Sequence, residues 1–300
     1  MKFLLFGGNG QVGTELRRSL AGLGDVVVAT RSGRLPDGML CETADFNAPE
    51  TLAALIERVA PDVVVNAAAY TAVDAAEDDA AAAFRANAQA PHVIAATCSQ
   101  RDTLLVHYST DYVFDGLGSH PYREDDPVSP LGVYGASKLA GEVAIRGSGA
   151  RHLIFRTAWV YANHGKNFLR TMLRLASERN ELRVVADQIG SPTPAALIAD
   201  VTAQVLRQSP KHSGLWHLTT SGQTSWCGFA EAIMTQAFER RLLSRKPAIA
   251  PISTADYPTR AERPAYSVLD CRRLEAEFGV SLPRWHDALG EVLDRRLPSV

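Results

Sequence analysis

The stretch KFLLFGGNGQVGTELRRSLAGLG, residues 2–24, limits most strongly what this chain can fold into. After Lys2 its first four residues are apolar and suit a buried parallel strand, while Val12, Leu16 and Leu20 recur at helical spacing. Between them the glycines parse two ways: Gly8, Gly10 and Gly13 give G-x-G-x-x-G, and Gly7, Gly10 and Gly13 give G-x-x-G-x-x-G. Glycine clusters also mark ordinary turns, so the flanks carry the reading. A strand, a glycine loop and a helix place unpaired N–H groups and a partial positive charge where a pyrophosphate can approach the bare backbone. Dinucleotide binding is the expectation.

The alternation continues downstream. DVVVAT (25–30) reads as a second strand, PETLAALIERVA (49–60) as a helix with proline at its start, and PDVVVNAAA (61–69) as a third strand. Residues 79–101 form an Ala-rich helical stretch, TLLVHYST (103–110) a fourth strand, YGASKLAGEVAI (134–145) a helix, and RHLIFRTAWV (151–160) another strand. Repeated strand–helix units with apolar, β-branched strands predict an α/β fold, a Rossmann-type doubly wound parallel sheet with helices on both faces. Beyond 160 the pattern loosens to a helix at 167–179, a strand near 182–186, DQIGSPTPAA and small elements. We therefore expect a dinucleotide-binding domain over 1–160, to which later segments can return. A smaller C-terminal substrate-binding lobe over 161–300 would pack on the carboxyl ends of the strands.

Charge and cysteine usage exclude several classes. With 31 Lys and Arg against 33 Asp and Glu, the chain has no general attraction for nucleic acid or an anionic membrane, so any phosphate recognition is local. The four cysteines, Cys41, Cys98, Cys227 and Cys271, form no C-x-x-C pair, which speaks against a zinc knuckle, a redox dithiol or a disulfide-stapled fold. No segment approaches the roughly 18 apolar residues of a membrane span, and the first strand follows Met1 directly, so the expected location is the cytoplasm.

Cofactor preference is legible at the end of the second strand. An NAD-preferring fold places Asp or Glu about 20 residues after the glycines to grip the ribose 2′-hydroxyl. Here the sequence reads Thr30, Arg31, Ser32. A guanidinium pairs well with a 2′-phosphate, so NADPH is expected over NADH, with NADH still accepted. The competing reading is that Arg31 is a solvated loop cation.

An acid–base group is also present. The fourth strand ends in Ser109-Thr110-Asp111-Tyr112, and 24 residues after Thr110 comes Tyr134, followed four residues later by Lys138. That spacing puts Tyr134 and Lys138 on one helix face. A free phenol has a pKa of about 10, so acid–base work near neutrality asks for roughly three units of help, about 4 kcal/mol. A nearby ammonium and a charged nicotinamide are candidate sources of that help, and the Thr110 hydroxyl could orient the phenol or a substrate oxygen. Singly each residue is ordinary; Tyr-x-x-x-Lys is common on helices whose tyrosines merely pack. Its place after the fourth strand of a nucleotide fold is far more restrictive.

Seven stretches together carry a resemblance: FGGNGQVG, NAAAYTAVDAAE (66–77), HYSTDYVFDG (107–116), SPLGVYGASKLAGE (129–142), FRTAWVY (155–161), NFLRTML (167–173) and DQIGSPT (187–193). The chain resembles the extended short-chain dehydrogenase/reductases, and among them those that reduce 4-keto sugar nucleotides. The resemblance covers most of the chain and favours the Gly7, Gly10, Gly13 parsing. It implies NADPH-dependent reduction of the C4 ketone of dTDP-6-deoxy-L-lyxo-4-hexulose to dTDP-L-rhamnose. Tyr134 would be the proton donor, Lys138 would hold the nicotinamide ribose and lower the Tyr134 pKa, and Thr110 would tune the tyrosine. Asp111 and Thr110 would contact the sugar, with Val73 and Trp159 flanking it. Cofactor contacts implied in the same way are Gly10, Gln11 and Val12 at the pyrophosphate, Arg31 at the ribose, Asp45 and Phe46 near the adenine, and Ala69, Tyr70 and Thr71 on the third-strand loop. Tyr70 stands where the family pattern has histidine. Asp45 also reads as a turn residue and Trp159 as core. YPTRAERPAYSVLD (257–270) is similar to the Arg-Pro-x-x-Ser stretch that completes the pocket in related enzymes, which makes Arg263 a candidate diphosphate contact or a surface arginine.

Two further expectations concern partners. Relatives with a magnesium-linked dimer use carboxylates from the first helix and from the helix after the Ser-Pro-Thr turn; here Glu15 is present but the second position offers Ala195 and Ala196. A hard cation needs several oxygen ligands, so no structural metal is expected, and the chain should be a monomer or weak dimer. His107, on a strand amid apolar residues, reads as a satisfied structural histidine. Fold alone leaves three functions open: a 4-keto sugar-nucleotide reductase, a nucleotide-sugar 4-epimerase and a non-catalytic NADP-binding regulatory subunit. The Thr110/Tyr134/Lys138 set speaks against the last.

Overall fold

The strands Lys2–Phe6, Val63–Asn66, Leu104–Thr110 and His152–Thr157 are buried at nearly every position, as strands covered on both faces must be. The computed structural model describes residues 1–295. Seven strands form one parallel sheet in the spatial order Gly214–His217, His152–Thr157, Leu104–Thr110, Val63–Asn66, Lys2–Phe6, Asp25–Thr30, Glu42–Thr43. The order reverses at Lys2–Phe6, whose neighbours are Asp25–Thr30 and Val63–Asn66. Loops leaving either side of such a switch point diverge and open a crevice at the carboxyl ends of the strands.

On one face the helix Gln11–Ala21 and the helix Ala195–Arg207 bury Leu16, Leu20, Ile198 and Val205 against Phe3, Leu5 and Val106. On the other, the helices Thr51–Val59, Ala90–Gln100 and Val133–Gly147 bury Leu52, Ile56, Ile94 and Ile145 against Leu4, Phe6 and Val64. A separate core joins the helices Phe168–Glu178, Trp226–Glu239 and Trp285–Asp294 to a parallel pair of strands, Glu181–Val185 and Ala248–Ile252. Two segments from the expected C-terminal lobe thus lie with the sheet: Ala195–Arg207 packs on the first helix and Gly214–His217 is the edge strand.

Several expected elements are shorter or broken. The strand expected over 61–69 ends at Asn66, whose side-chain oxygen accepts from the Ala68 N–H at 3.1 Å and turns the chain toward the crevice. The helical stretch 79–101 divides into Ala80–Phe84, a π-helical turn Arg85–Gln89, and Ala90–Gln100. The expected strand 151–160 breaks after Thr157, because Trp159 adopts φ 47°, and resumes as Val160–Tyr161. In the seven-stranded sheet two strands were not expected, Glu42–Thr43 and Gly214–His217. At two and four residues, neither is long enough for a periodic signal. Among the described residues no helix is long and apolar enough to cross a membrane.

Candidate active site

The glycine loop is built on close contacts. Gly7 sits at φ +77°, and a Cβ there would lie 2.7 Å from the Ala68 nitrogen. A Cβ on Gly13 would collide with the Gly7 carbonyl oxygen, so the first helix approaches the loop only because Gly13 has no side chain. Gly10, extended at φ −77° and ψ 175°, is the N-cap, and its N–H donates to the Gly7 carbonyl at 2.9 Å. The G-x-x-G-x-x-G spacing therefore has a role for each member. Gly8 is confined as well, but by the Val28 side chain.

This loop forms one end of a cleft of about 820 Å³ that runs along the carboxyl ends of the strands. The cleft brings together the residues expected at the nucleotide, Gly7, Gly10, Gln11, Val12 and Arg31, then Asp45 and Phe46, then Ala69, Tyr70 and Thr71. At its other end it is lined by Thr110, Asp111, Tyr134 and Lys138, with Val73 and Trp159. Two expected residues lie outside this lining. Gly13 is packed beneath the loop, as described. The Arg263 guanidinium donates to Asp74 Oδ2 at 2.7 Å and to the Tyr112 hydroxyl at 3.2 Å, so its charge is already met by a carboxylate.

Local devices set the individual side chains. Asp45 accepts from the Asn47 N–H at 3.0 Å, the side-chain turn expected of it, and still lines the cleft; Phe46 rests edge-on against Phe6 at 5.6 Å. Tyr70 presents its backbone to Asn87, donating N–H to Oδ1 at 2.8 Å and accepting from Nδ2 at 3.0 Å. Asn87 is buried in the π-helical turn and also donates to Ser137 Oγ at 3.0 Å, linking the 69–71 loop to the helix of Tyr134 and Lys138. Single π turns often occur at such sites. The Glu77 carboxylate accepts the Val133 N–H at 2.8 Å, capping the helix that Gly132 leaves without a side-chain cap. Sequence reasoning assigned no role to Asn87, Glu77 or Trp226. Glu77 ends the NAAAYTAVDAAE stretch, and that was the available signal.

Electrostatics separate the titratable groups. Burial pushes the Tyr134 phenol above its ordinary range; a hydrogen bond with the Thr110 hydroxyl opposes the shift, and Asp111 and Tyr112 add to it. Lys138 is not a cause of that shift. Its ammonium donates to the Tyr108 carbonyl at 2.6 Å, and burial presses it down to about 8 against the pull of the Glu142 carboxylate. The lowering of Tyr134 expected from Lys138 is not among the causes of the tyrosine's shift, and the lysine nitrogen is turned toward the strand. Burial raises Asp111 to about 6, opposed by hydrogen bonds from Ser267 and Thr110. Glu142 is held in a bidentate pair with Arg156 at 2.9 and 2.7 Å, with side chains 1% and 3% exposed.

A dinucleotide fits this cleft on three observations. The glycine loop is packed too closely on backbone for side chains at Gly7 and Gly13, Arg31 stands exposed at the far end, and the cleft residues Ser109 and Thr157 have buried hydroxyls without a hydrogen-bond partner among the described residues. Metal chemistry has no comparable donor set: no group of three His, Cys, Asp or Glu side chains among the described residues is arranged to hold an ion. Glu15 is engaged by His164 at 3.0 Å and Arg18 at 3.4 Å, while Ala195 and Ala196 are buried.

A family model described as the RmlD substrate binding domain matches residues 1–297. The dTDP-4-dehydrorhamnose reductase of Burkholderia thailandensis is 52% identical over 301 residues, 97% of each chain. The enzyme of that name from Escherichia coli strain K12 is 42% identical over 297 residues, covering 98% of this chain and 97% of that one. Two solved structures are similar at a TM-score of 0.89. One is a dTDP-4-dehydrorhamnose reductase from Clostridium acetobutylicum, 34% identical. The other, from Bacillus anthracis in complex with NADP, is 31% identical; each comparison covers 98% of this chain and 99% of the other. The chain belongs to the RmlD substrate binding domain family and is an NAD(P)H-dependent oxidoreductase.

Proposed function

We propose that the protein reduces the C4 ketone of dTDP-6-deoxy-L-lyxo-4-hexulose to dTDP-L-rhamnose, with NADPH as reductant and Tyr134 as proton donor. One observation supports the reading above the others: Thr110, Tyr134 and Lys138 line the same cleft as the glycine loop. The relatives' shared name supplies the substrate class.

NADPH held in the cleft would supply the hydride for reduction at C4 of the sugar. As that carbon is reduced, negative charge develops on the ketone oxygen, and the Tyr134 O–H transfers its proton there, leaving the alcohol. A phenol raised above its ordinary range carries its proton at neutral pH, and giving it up calls for stabilisation of the phenolate, toward which the Thr110 hydroxyl contributes. Thr110, hydrogen-bonded to Asp111 Oδ1 at 3.0 Å, orients the phenol and the sugar oxygen. Asp111 accepts from sugar hydroxyls, Val73 and Trp159 bound the ring, and Lys138 holds the nicotinamide ribose. Gln11 and Val12 offer backbone N–H groups to the pyrophosphate, and Gly10, whose own N–H is taken by the Gly7 carbonyl, lets it approach without a side chain in the way. Arg31 meets the 2′-phosphate.

Stoichiometry tests the reaction. One NADPH consumed per sugar converted, with dTDP-L-rhamnose identified by NMR, is the expected result. Conversion without net cofactor change would make the protein a 4-epimerase, and binding without turnover would make it a regulatory subunit. The same reading includes no metal-linked dimer, since Glu15 is held by His164 and Arg18; sedimentation with magnesium should give the mass found without it, and a rise would overturn this point.

A further inference from the structure

Beneath the cleft three buried polar side chains form a line from strand to strand to helix: Asn66, His107 and Lys138, each at most 3% exposed. Their hydrogen-bond logic determines where the protons lie. Asn66 Oδ1 accepts from the Ala68 N–H at 3.1 Å, so its Nδ2 is the atom that faces His107 Nδ1 at 3.1 Å. Nδ2 is a donor, and Nδ1 must therefore be the acceptor. A neutral imidazole has one N–H, which leaves it on Nε2, and Nε2 lies 3.4 Å from Lys138 Nζ. The imidazole thus presents a donor to the lysine nitrogen, where an amine has a lone pair and an ammonium has none.

We propose that His107 is a positioning residue for the reaction: Asn66 holds it as the Nε2–H tautomer, and its N–H sets the proton occupancy of Lys138 by favouring the amine. This rests on the reading of Lys138 as the residue that holds the cofactor ribose. The other groups around Lys138 act differently. From the same strand the Tyr108 carbonyl accepts from Nζ at 2.6 Å, satisfying either protonation state. Glu142, on the lysine's own helix, favours the ammonium and is itself paired with Arg156 from the next strand, while Asp111 follows the end of the His107 strand. Tyr134, one turn before the lysine, is a neutral phenol. Burial and the neighbouring ammonium hold His107 well below its ordinary pKa, so it remains neutral and keeps its single proton. The effect is to bring the cleft's buried cation close to its titration point, so that the grip on the cofactor responds to pH near neutrality.

The test uses the full chain without cofactor or substrate, so it stands or fails separately from the reductase reading, which stoichiometry decides. In the wild-type protein, 15N shifts of His107 should show Nε2 protonated and Nδ1 unprotonated; the reverse tautomer overturns the proposal, and this measurement needs no variant to fold. The 13Cε signal of Lys138 then reports its titration midpoint. His107→Leu should raise that midpoint by about one pH unit, the scale of one hydrogen bond, and His107→Gln, whose amide can offer both an acceptor and a donor, should return it toward the wild-type value. A midpoint in His107→Leu that stays or falls overturns the proposal.

Discussion

Trp159 lies flat on Trp226, their ring centroids 3.6 Å apart and their planes within 4° of parallel. Trp159 holds φ 47°, a region bulky residues rarely occupy, and a Cβ at Gly190 would lie 2.5 Å from its ring. The indole that lines the cleft is therefore set by a residue at the start of the helix Trp226–Glu239, outside the sheet. An aromatic pair contributes about 0.5–1.5 kcal/mol beyond its buried area. Trp226→Ala should lower kcat/KM for the sugar nucleotide by roughly three- to tenfold, mostly through KM. Steady-state kinetics checks this, and an unchanged KM would detach the stacking from substrate binding.

Tyr134→Phe removes one oxygen from the cleft and little else, since the ring keeps its edge contact with Tyr112 at 5.5 Å. A positioned general acid contributes about 10²–10⁴ in rate, so kcat should fall by that factor. The dissociation constant for NADPH, followed by fluorescence, should change little. Full activity in this variant would take Tyr134 out of the mechanism.

Most of the cleft could be read from the chain because its residues sit next to punctuation: glycines after the first strand, Thr110 at the end of the fourth, Tyr134 and Lys138 at helical spacing. What escaped was set by long-range packing. Glu77 caps a helix 56 residues away, Asn87 ties Tyr70 to Ser137, and Trp226 meets Trp159 across the fold. No local period signals such partners. The charge relations escaped for the same reason: the Tyr134–Lys138 spacing suggested an ammonium beside the phenol, whereas the Tyr108 carbonyl draws the ammonium to the strand.

The titrations of Asp111 and Lys138 predict the pH dependence of kcat/KM. Asp111 is a carboxylate above about 6, so activity should rise as pH passes that value; Lys138 loses its charge above about 8, so the grip on the cofactor should weaken there. Stability follows opposite signs. Asp111 binds its proton more tightly when folded, so its contribution falls as pH rises from its ordinary 3.8 to about 6. Lys138 binds its proton less tightly when folded, so the penalty it carries below about 8 is relieved as pH climbs toward 10.5. A pH–rate profile flat from 5 to 9 would show that neither group governs the step (the span is roughly one unit beyond each midpoint).

Glu142→Gln would leave the buried Arg156 guanidinium without its counter-charge. Breaking one partner of a buried pair costs about 3–5 kcal/mol, and urea unfolding should show a loss of that size. The variant also removes the carboxylate that favours the Lys138 ammonium, so the basic limb of the rate profile should move below about 8. A loss under about 1 kcal/mol would mean the pair contributes no more than an exposed one.

Arg31 follows the second strand directly, lies at the cleft and is exposed, with Ser32 beside it and no acidic residue from Thr30 to Leu35. A guanidinium there gains from a 2′-phosphate and gains nothing comparable from a 2′-hydroxyl, so it should separate the two cofactors. Arg31→Ala should reduce kcat/KM for NADPH by roughly 10- to 100-fold, the range of one charge-assisted contact of about 1.5–3 kcal/mol, and leave NADH nearly unchanged. Measuring both cofactors on both proteins isolates the phosphate contribution, because losses common to the two cancel in the ratio. If the ratio is the same in the variant as in the wild type, Arg31 is a solvated cation and the preference must arise elsewhere along the cleft.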